Sequence, residues 1–335
     1  MNDSSIHKSE KILANPAEQK LNFIWLELTS HCNLRCVHCY AESGPTTVRP
    51  ELLSISDYRK LIESAASLGC KNIQFIGGEP TIVRELPDLI TYARNKGFEF
   101  IEVFTNATIL SDRLLSCFVE NNVSIATSFY SYKSEIHDSI TKIPGSHSQT
   151  VNNIKRFLDA SLNVRAGIIV MEENENDVDE TIEYLHSIGI KTVGKDRIRS
   201  FGRGNSKHNH TPALTELCGS CWQGNLCVFP DGKIAPCIMS REWSIGSIFD
   251  EEFEKLVQSQ QLKDLRKKIY QEVWLPRSAQ RNKVQSSEQG ELVEASLNND
   301  LKDDCVPDCV PTCNPQCSPN CSPCFPYGKC NPELF

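Results

Sequence analysis

The sequence predicts an α/β protein built on a parallel sheet with helices outside it. Three observations carry that prediction. Between residues 23 and 198, six apolar strand-like runs alternate with helix-period patterns, the signature of successive βα units. Six units fall short of the eight that close a barrel, so the sheet stays open. The residues best suited to chemistry fall just past the C-terminal ends of the strands, where such sheets place their sites.

The elements follow in order. Phe23 to Leu28 is the first strand. A helix follows near Ser56 to Leu68, with Leu61, Ile62, Ala65 and Leu68 on one face and Gly69 placed to end it. The apolar run Ile73 to Ile76 forms strand two and ends on Gly77-Gly78-Glu79-Pro80; a helix from about Leu86 to Lys96 is stopped by Gly97. Strand three, Phe98 to Thr105, leads to Asn106 and then to a helix begun by Ser111-Asp112. Strand four, Val123 to Phe129, is followed by a loop and a helix near Thr150 to Ala160. Strand five is Val164 to Val170, the next helix Val178 to Ile188, and strand six Thr192 to Ile198.

The loop after strand one reads Cys32-Asn-Leu-Arg-Cys36-Val-His38-Cys39-Tyr40. Three thiolates within eight residues suit an iron–sulfur cluster or zinc. No fourth cysteine lies nearby. His38 could close a zinc site, but its position between Val37 and Cys39 makes that loop geometry awkward. A cluster with one metal position left open is the sharper reading, because an open position is where a substrate or cofactor binds. At Gly77-Gly78-Glu79-Pro80, glycines let the backbone approach a ligand closely, and Glu79 offers an anionic acceptor for an ammonium group.

The C-x3-C-x2-C loop and the GGEP run, each at a strand end, closely resemble the signature of radical S-adenosylmethionine (SAM) enzymes. The resemblance implies an open (β/α)6 partial TIM barrel. It also implies a [4Fe-4S] cluster held by Cys32, Cys36 and Cys39, its fourth iron chelated by SAM. Gly77, Gly78, Glu79 and Pro80 would seat SAM, with Tyr40, Asn106, Ser128 and Arg165 as further contacts. Relatives often carry Ser-Leu-Asp-Gly after strand four, followed by His-Asp. This chain has Ser128-Phe129-Tyr130-Ser131 and keeps His137-Asp138. Arg165 could meet the SAM carboxylate as a bidentate donor or form a sheet-end ion pair. Arg199 and Gly202-Arg203-Gly204 would line the substrate mouth or form an exposed turn.

After residue 213 the composition changes. Cys218, Cys221, Cys227 and Cys237 lie within twenty residues, and Val228 to Cys237 reads as a hairpin turning at Asp231-Gly232. This resembles the opening of a SPASM or twitch domain, which implies at least one auxiliary [4Fe-4S] cluster; a four-cysteine zinc ribbon has similar spacing. Trp222, Trp243 and Phe249 are expected to pack this small domain, while Cys70 and Cys117 read as ordinary buried thiols. His208 and His210 fall in a polar loop, and a helix is expected from about Glu251 to Ile269. Residues 275–304 read as a flexible linker. In the tail, 305–335, Cys305, Cys309, Cys313, Cys317, Cys321, Cys324 and Cys330 each precede a proline by two places. That tail suits metal ligation, disulfide exchange, a fused cysteine-rich substrate or a low-complexity end.

The expected division is a polar N-terminal segment 1–22, the barrel 23–213, the auxiliary domain 214–274, the linker and the tail. A net charge of −8 gives no sign of a nucleic-acid or anionic-membrane surface. No apolar run approaches the roughly 20 residues that span a bilayer, and residues 1–22 lack a signal-peptide core. The expectation is therefore a cytoplasmic protein, in which sixteen cysteines point to metal rather than disulfides. The resemblance implies reductive SAM cleavage and hydrogen abstraction from a peptide or small-molecule substrate, with a flavodoxin- or ferredoxin-type one-electron reductant. Among relatives with this auxiliary domain, modification of a ribosomally made peptide is the leading expectation. A distinct leader-peptide domain is not expected, since about twenty polar residues precede strand one. A small-molecule dehydrogenase, a sulfatase-maturase-like activity, and a non-enzymatic metal or redox protein are the alternatives.

Overall fold

The computed structural model describes residues 15–205 and 211–279. Residues 1–14, His208, His210, linker residues 280–304 and the whole cysteine tail lie outside the described residues.

The six expected strands form and pair in parallel: β1 (Phe23–Glu27), β2 (Asn72–Ile76), β3 (Phe100–Thr105), β4 (Ser124–Ser128), β5 (Val164–Val170) and β6 (Thr192–Arg197). Each is paired with its sequence neighbour, in the spatial order β6-β5-β4-β3-β2-β1. Helices α1 (Ile55–Ser67), α2 (Leu86–Asn95) and α3 (Asp112–Glu120) lie between the first four strands in sequence. Ser54 and Asp57 close a reciprocal cap at the start of α1, and Ser111 accepts from Leu114 N (3.2 Å) at the start of α3. These caps satisfy amides that a helix start would otherwise leave unpaired.

The segment after β4 holds two helices, α4 (Ser134–Thr141) and α5 (Ser146–Asp159), where one was expected. Asp138 explains the pair. Its carboxylate accepts from Gly145 N (2.5 Å), Ser146 Oγ (2.8 Å) and His147 N (2.8 Å), so the end of α4 caps the start of α5. Helix α6 (Val178–Ser187) then leads to β6. The main core lies between the sheet and these helices, with Ile24, Ile62, Phe75, Leu89, Phe118 and Phe157 fully enclosed.

The cysteine-rich region does not form a separate layer. β7 (Asn225–Val228) pairs in parallel with β1, in register Phe23↔Asn225 through Leu26↔Val228. β8 (Lys233–Ala235) and β9 (Gly246–Ser247) add on antiparallel, making one nine-stranded sheet across the expected boundary at 213/214. Two helices follow, α7 (Phe253–Gln258) and α8 (Gln260–Ile269), separated at Ser259, where a single helix was expected. A π-helical turn, Tyr270–Trp274, continues α8, and residues 275–279 remain helical where a linker was expected. A second apolar cluster joins Phe23 and Trp25 of β1 to the four cysteines, Trp222 and Val273. Trp222 and Trp243 pack as expected, but Phe249 is 53% exposed. Gly232 accounts for this: its missing Cβ leaves room for the Phe249 ring, which lies over the turn.

Candidate active site

Cys32, Cys36 and Cys39 line a cleft at the C-terminal ends of β1 to β6. Gly77, Gly78, Asn106, Ser128 and Tyr40 share its wall. The two glycines are there because two backbones meet. Gly78 N donates to Thr29 O (2.6 Å) and Glu79 N to His31 O (2.9 Å), bringing the loop after β2 against the loop after β1. A Cβ at Gly78 would lie 2.0 Å from His31 O, which only glycine avoids.

Glu79 does not line the cleft. It is fully buried, accepting at Oε1 from Thr81 N (3.0 Å), Thr81 Oγ1 (2.7 Å) and Thr105 Oγ1 (2.6 Å), and at Oε2 from Asn106 N (2.7 Å). Burial pushes its carboxyl above the usual range, and these donors act against that shift. Its place is between the ends of β2 and β3, with Pro80 buried beside it. Arg165 also stands away from the cleft wall. It forks onto Glu102 with Nε–Oε1 and Nη2–Oε2 both at 2.8 Å, and Gln74 donates to the same carboxylate. The ion-pair alternative for Arg165 is the contact present.

The cysteine loop is held by its neighbours. Arg35 N and Val37 N donate to Thr141 O (2.9 Å) and Ile140 O (3.0 Å) at the end of α4. The Cys32 sulfur accepts from Leu34 N (3.3 Å) and Asn106 Nδ2 (3.7 Å), and the Cys36 sulfur from Tyr130 Oη (3.8 Å). Tyr130 occupies the stretch where Ser-Leu-Asp-Gly was absent, and residue type alone gave no hint of this contact. Burial, with like charges nearby, pushes the Cys32 thiol well up and the Cys36 thiol to about 12. A cationic metal centre at these sulfurs would act against that shift by stabilising the thiolates. His38 lines the cleft, edge-on to Tyr130 at 5.0 Å, and its buried Nδ1 has no partner. Burial, helped by the Arg203 charge, lowers its pKa to about 4, leaving a neutral ring with a free polar atom beside the three sulfurs.

The second cysteine group lies on the other side of β1. Cys218, Cys221, Cys227 and Cys237 are all buried and reduced. Cys221 is hydrogen-bonded to Cys218 and Cys237, and the charge of Cys237 also reaches Cys227. Buried donors without partners, Trp25 Nε1, Trp222 Nε1 and Ser220 Oγ, occur in this region. Unpaired donors in an apolar shell around thiols fit a cluster whose sulfides accept hydrogen bonds. Among the described residues no group of three or more His, Cys, Asp or Glu is arranged to hold a single metal ion. Both groups offer soft thiolates, the donor set of iron–sulfur clusters and of zinc. Tyr40 stands between the two groups: burial and the charges of Glu27, Cys39 and Cys227 push its phenol well above its usual range. Cys70 and Cys117 are buried thiols, as expected.

Comparison with known proteins agrees with this geometry. The Radical SAM superfamily profile matches residues 26–185, and the SPASM iron–sulfur cluster-binding domain matches residues 218–279. The chain is 26% identical over 266 residues to the antilisterial bacteriocin subtilosin biosynthesis protein AlbA of Bacillus subtilis (strain 168), covering 70% of this chain and 58% of AlbA. It is 27% identical over 199 residues to the Fe-coproporphyrin III synthase of Methanosarcina barkeri (strain Fusaro), covering 59% of this chain and 49% of the synthase. It thus spans about half the length of the curated relatives it matches. The fold matches that of SAM-bound SuiB from Streptococcus suis with a TM-score of 0.60, at 13% identity, over 74% of this chain and 68% of SuiB. The chain carries a radical SAM domain and a SPASM iron–sulfur cluster-binding domain, whose cofactors are SAM and [4Fe-4S] clusters.

Proposed function

We propose that this protein is a radical SAM enzyme that modifies a ribosomally made peptide, drawing single electrons from a flavodoxin- or ferredoxin-type donor. The observation that carries this reading is one cleft lined by Cys32, Cys36, Cys39, Gly77 and Gly78, and by Met239 from the auxiliary region. Cys32, Cys36 and Cys39 would hold the SAM-binding cluster, and Cys218, Cys221, Cys227 and Cys237 an auxiliary one. When bound and reduced, cluster and SAM supply a 5′-deoxyadenosyl radical that removes a hydrogen atom from substrate.

The chain's own residues do the rest. Asn106 and Leu34 N hold the Cys32 sulfur, and Tyr130 holds that of Cys36. Gly77 and Gly78 leave the backbone bare for the amino-acid end of SAM, and the orphaned Nδ1 of His38 offers a polar contact within the same wall. Phe104, Ile169, Ile198 and Met239 make an apolar wall that excludes water from a reactive intermediate. A peptide substrate is supported by the subtilosin-biosynthesis name of one relative. The second reading, a small-molecule substrate, is supported by the coproporphyrin synthase.

The test has two arms. Anaerobically reconstituted, chemically reduced protein should cleave SAM to 5′-deoxyadenosine, and the Cys32→Ala, Cys36→Ala, Cys39→Ala triple variant should not. A short peptide encoded beside this gene should change mass when incubated with the enzyme, SAM and reductant. SAM cleavage in the triple variant would overturn the assignment of the catalytic cluster to Cys32, Cys36 and Cys39. Cleavage by the intact protein with no mass change in the peptide would favour the small-molecule reading.

A further inference from the structure

The loop after β6 was expected to line a substrate mouth or to be an exposed turn, and Arg199 and Arg203 do line the cleft. The backbone of this loop lies directly on the cysteine loop. Gly202 adopts φ +50°, and a Cβ there would stand 2.4 Å from Tyr40 O and 2.6 Å from Cys39 O. A Cβ at Gly204 would stand 2.4 Å from Arg199 O, so both glycines are needed for the fit. Arg203, between them, grips the loop. Its amide donates to Cys39 O (3.0 Å), Nε to Cys36 O (2.7 Å) and Nη2 to Ser43 O (2.7 Å). The base of the grip is itself fixed: buried Arg199 forks onto Asp196 and donates to Glu216 O (3.0 Å).

We propose that Arg203 is a positioning residue that retains the cluster on Cys32, Cys36 and Cys39 and raises its reduction potential. Two physical effects support this. Guanidinium donors shared between Cys36 O and Ser43 O fix the segment carrying two of the three ligands, and a planar fork suits two acceptors better than an ammonium does. The guanidinium also places a fixed positive charge on the cysteine loop, against Cys36 O and Ser43 O. Reduction adds one electron from an external reductant and no proton, leaving the cluster one charge more negative. A neighbouring cation stabilises that state more than the oxidised one. The inference depends on the cluster and not on the identity of the substrate.

The experiment uses full-length protein reconstituted anaerobically with iron and sulfide, titrated with dithionite and followed by electron paramagnetic resonance. The signal that shifts on adding SAM identifies the cluster on the cysteine loop. Arg203→Met should make that cluster harder to reduce by about tenfold, about 59 mV for a one-electron couple. Arg203→Lys keeps the charge and should titrate near wild type, but should lose this cluster to a chelator several-fold faster. Iron at the auxiliary site should be unchanged in both. A methionine variant that titrates at the wild-type potential would overturn the assignment. Should that variant fail to fold, the lysine variant decides alone: chelator loss at the wild-type rate rejects the grip.

Discussion

A buried carboxylate is an expensive group, and Glu79 shows what the chain gains from one. Four donors converge on it, two backbone amides and two hydroxyls: Thr81 N and Oγ1, Thr105 Oγ1 and Asn106 N. The Asn106 amide set by this contact carries the side chain that reaches the Cys32 sulfur. Glu79→Ala should therefore leave several buried donors unpaired at about 1–3 kcal/mol each, and lower stability by at least about 3 kcal/mol. A urea midpoint that barely moves would show that the donors find water instead. The residue type and place of Glu79 were legible in the sequence, but not the direction of its side chain, because an acceptor for an ammonium and an acceptor for backbone amides look alike in one letter. Arg165 makes the same point. Whether its fork meets a ligand or Glu102 is decided by register across β3, β4 and β5, which a linear sequence does not display.

At the scale of elements, the corner after β4 is both a support for the cysteine loop and a pH-sensitive structure. His137, His147, Phe129 and Tyr130 pack ring against ring there, with His137 Nδ1 facing Tyr130 N (3.4 Å). Burial, with His147 adding a like charge, lowers the His137 pKa to about 3. Because the folded pKa lies below the unfolded one, the unfolded chain binds the extra proton, and stability is lost as pH falls from about 6.5 toward 3. The slope from this one group is at most about 1.4 kcal/mol per pH unit. His137→Gln should flatten the stability profile between pH 6.5 and 4 relative to wild type. Parallel profiles for the two proteins would mean that His137 takes up its proton in the folded state. The six strands were legible because apolar runs of parallel strands stand out between helical periods. The α4 helix was not, since its turn chemistry is hidden in Asp138, which caps the helix that follows its own.

At the scale of the whole molecule, barrel and auxiliary domain share one sheet. The pairing of β7 with β1 was invisible because strand partners far apart in sequence leave no local signal. Its consequences are energetic. Glu27 on β1 is fully buried, and its only cationic hydrogen-bond partner among the described residues is Arg241, from the far side of the hairpin, at 2.8 and 2.6 Å. The Arg241 guanidinium also lies 4.0 Å from the centre of the Phe229 ring. Removing one partner of a buried pair costs about 3–5 kcal/mol because the other charge stays behind, whereas removing both costs far less. Arg241→Met should therefore destabilise strongly, and adding Glu27→Gln should recover much of the loss. The same reasoning extends to the fold. A chain ending at residue 213 would expose the edge of β1, strand-buried along its full length, together with an unpaired Glu27. That fragment should be insoluble, and the intact protein should unfold in one transition whether followed by backbone circular dichroism or by tryptophan fluorescence, with Trp25 and Trp222 reporting from either side of the boundary. A soluble fragment 1–213, or two separated transitions in the intact chain, would show that the barrel stands without β7, β8 and β9.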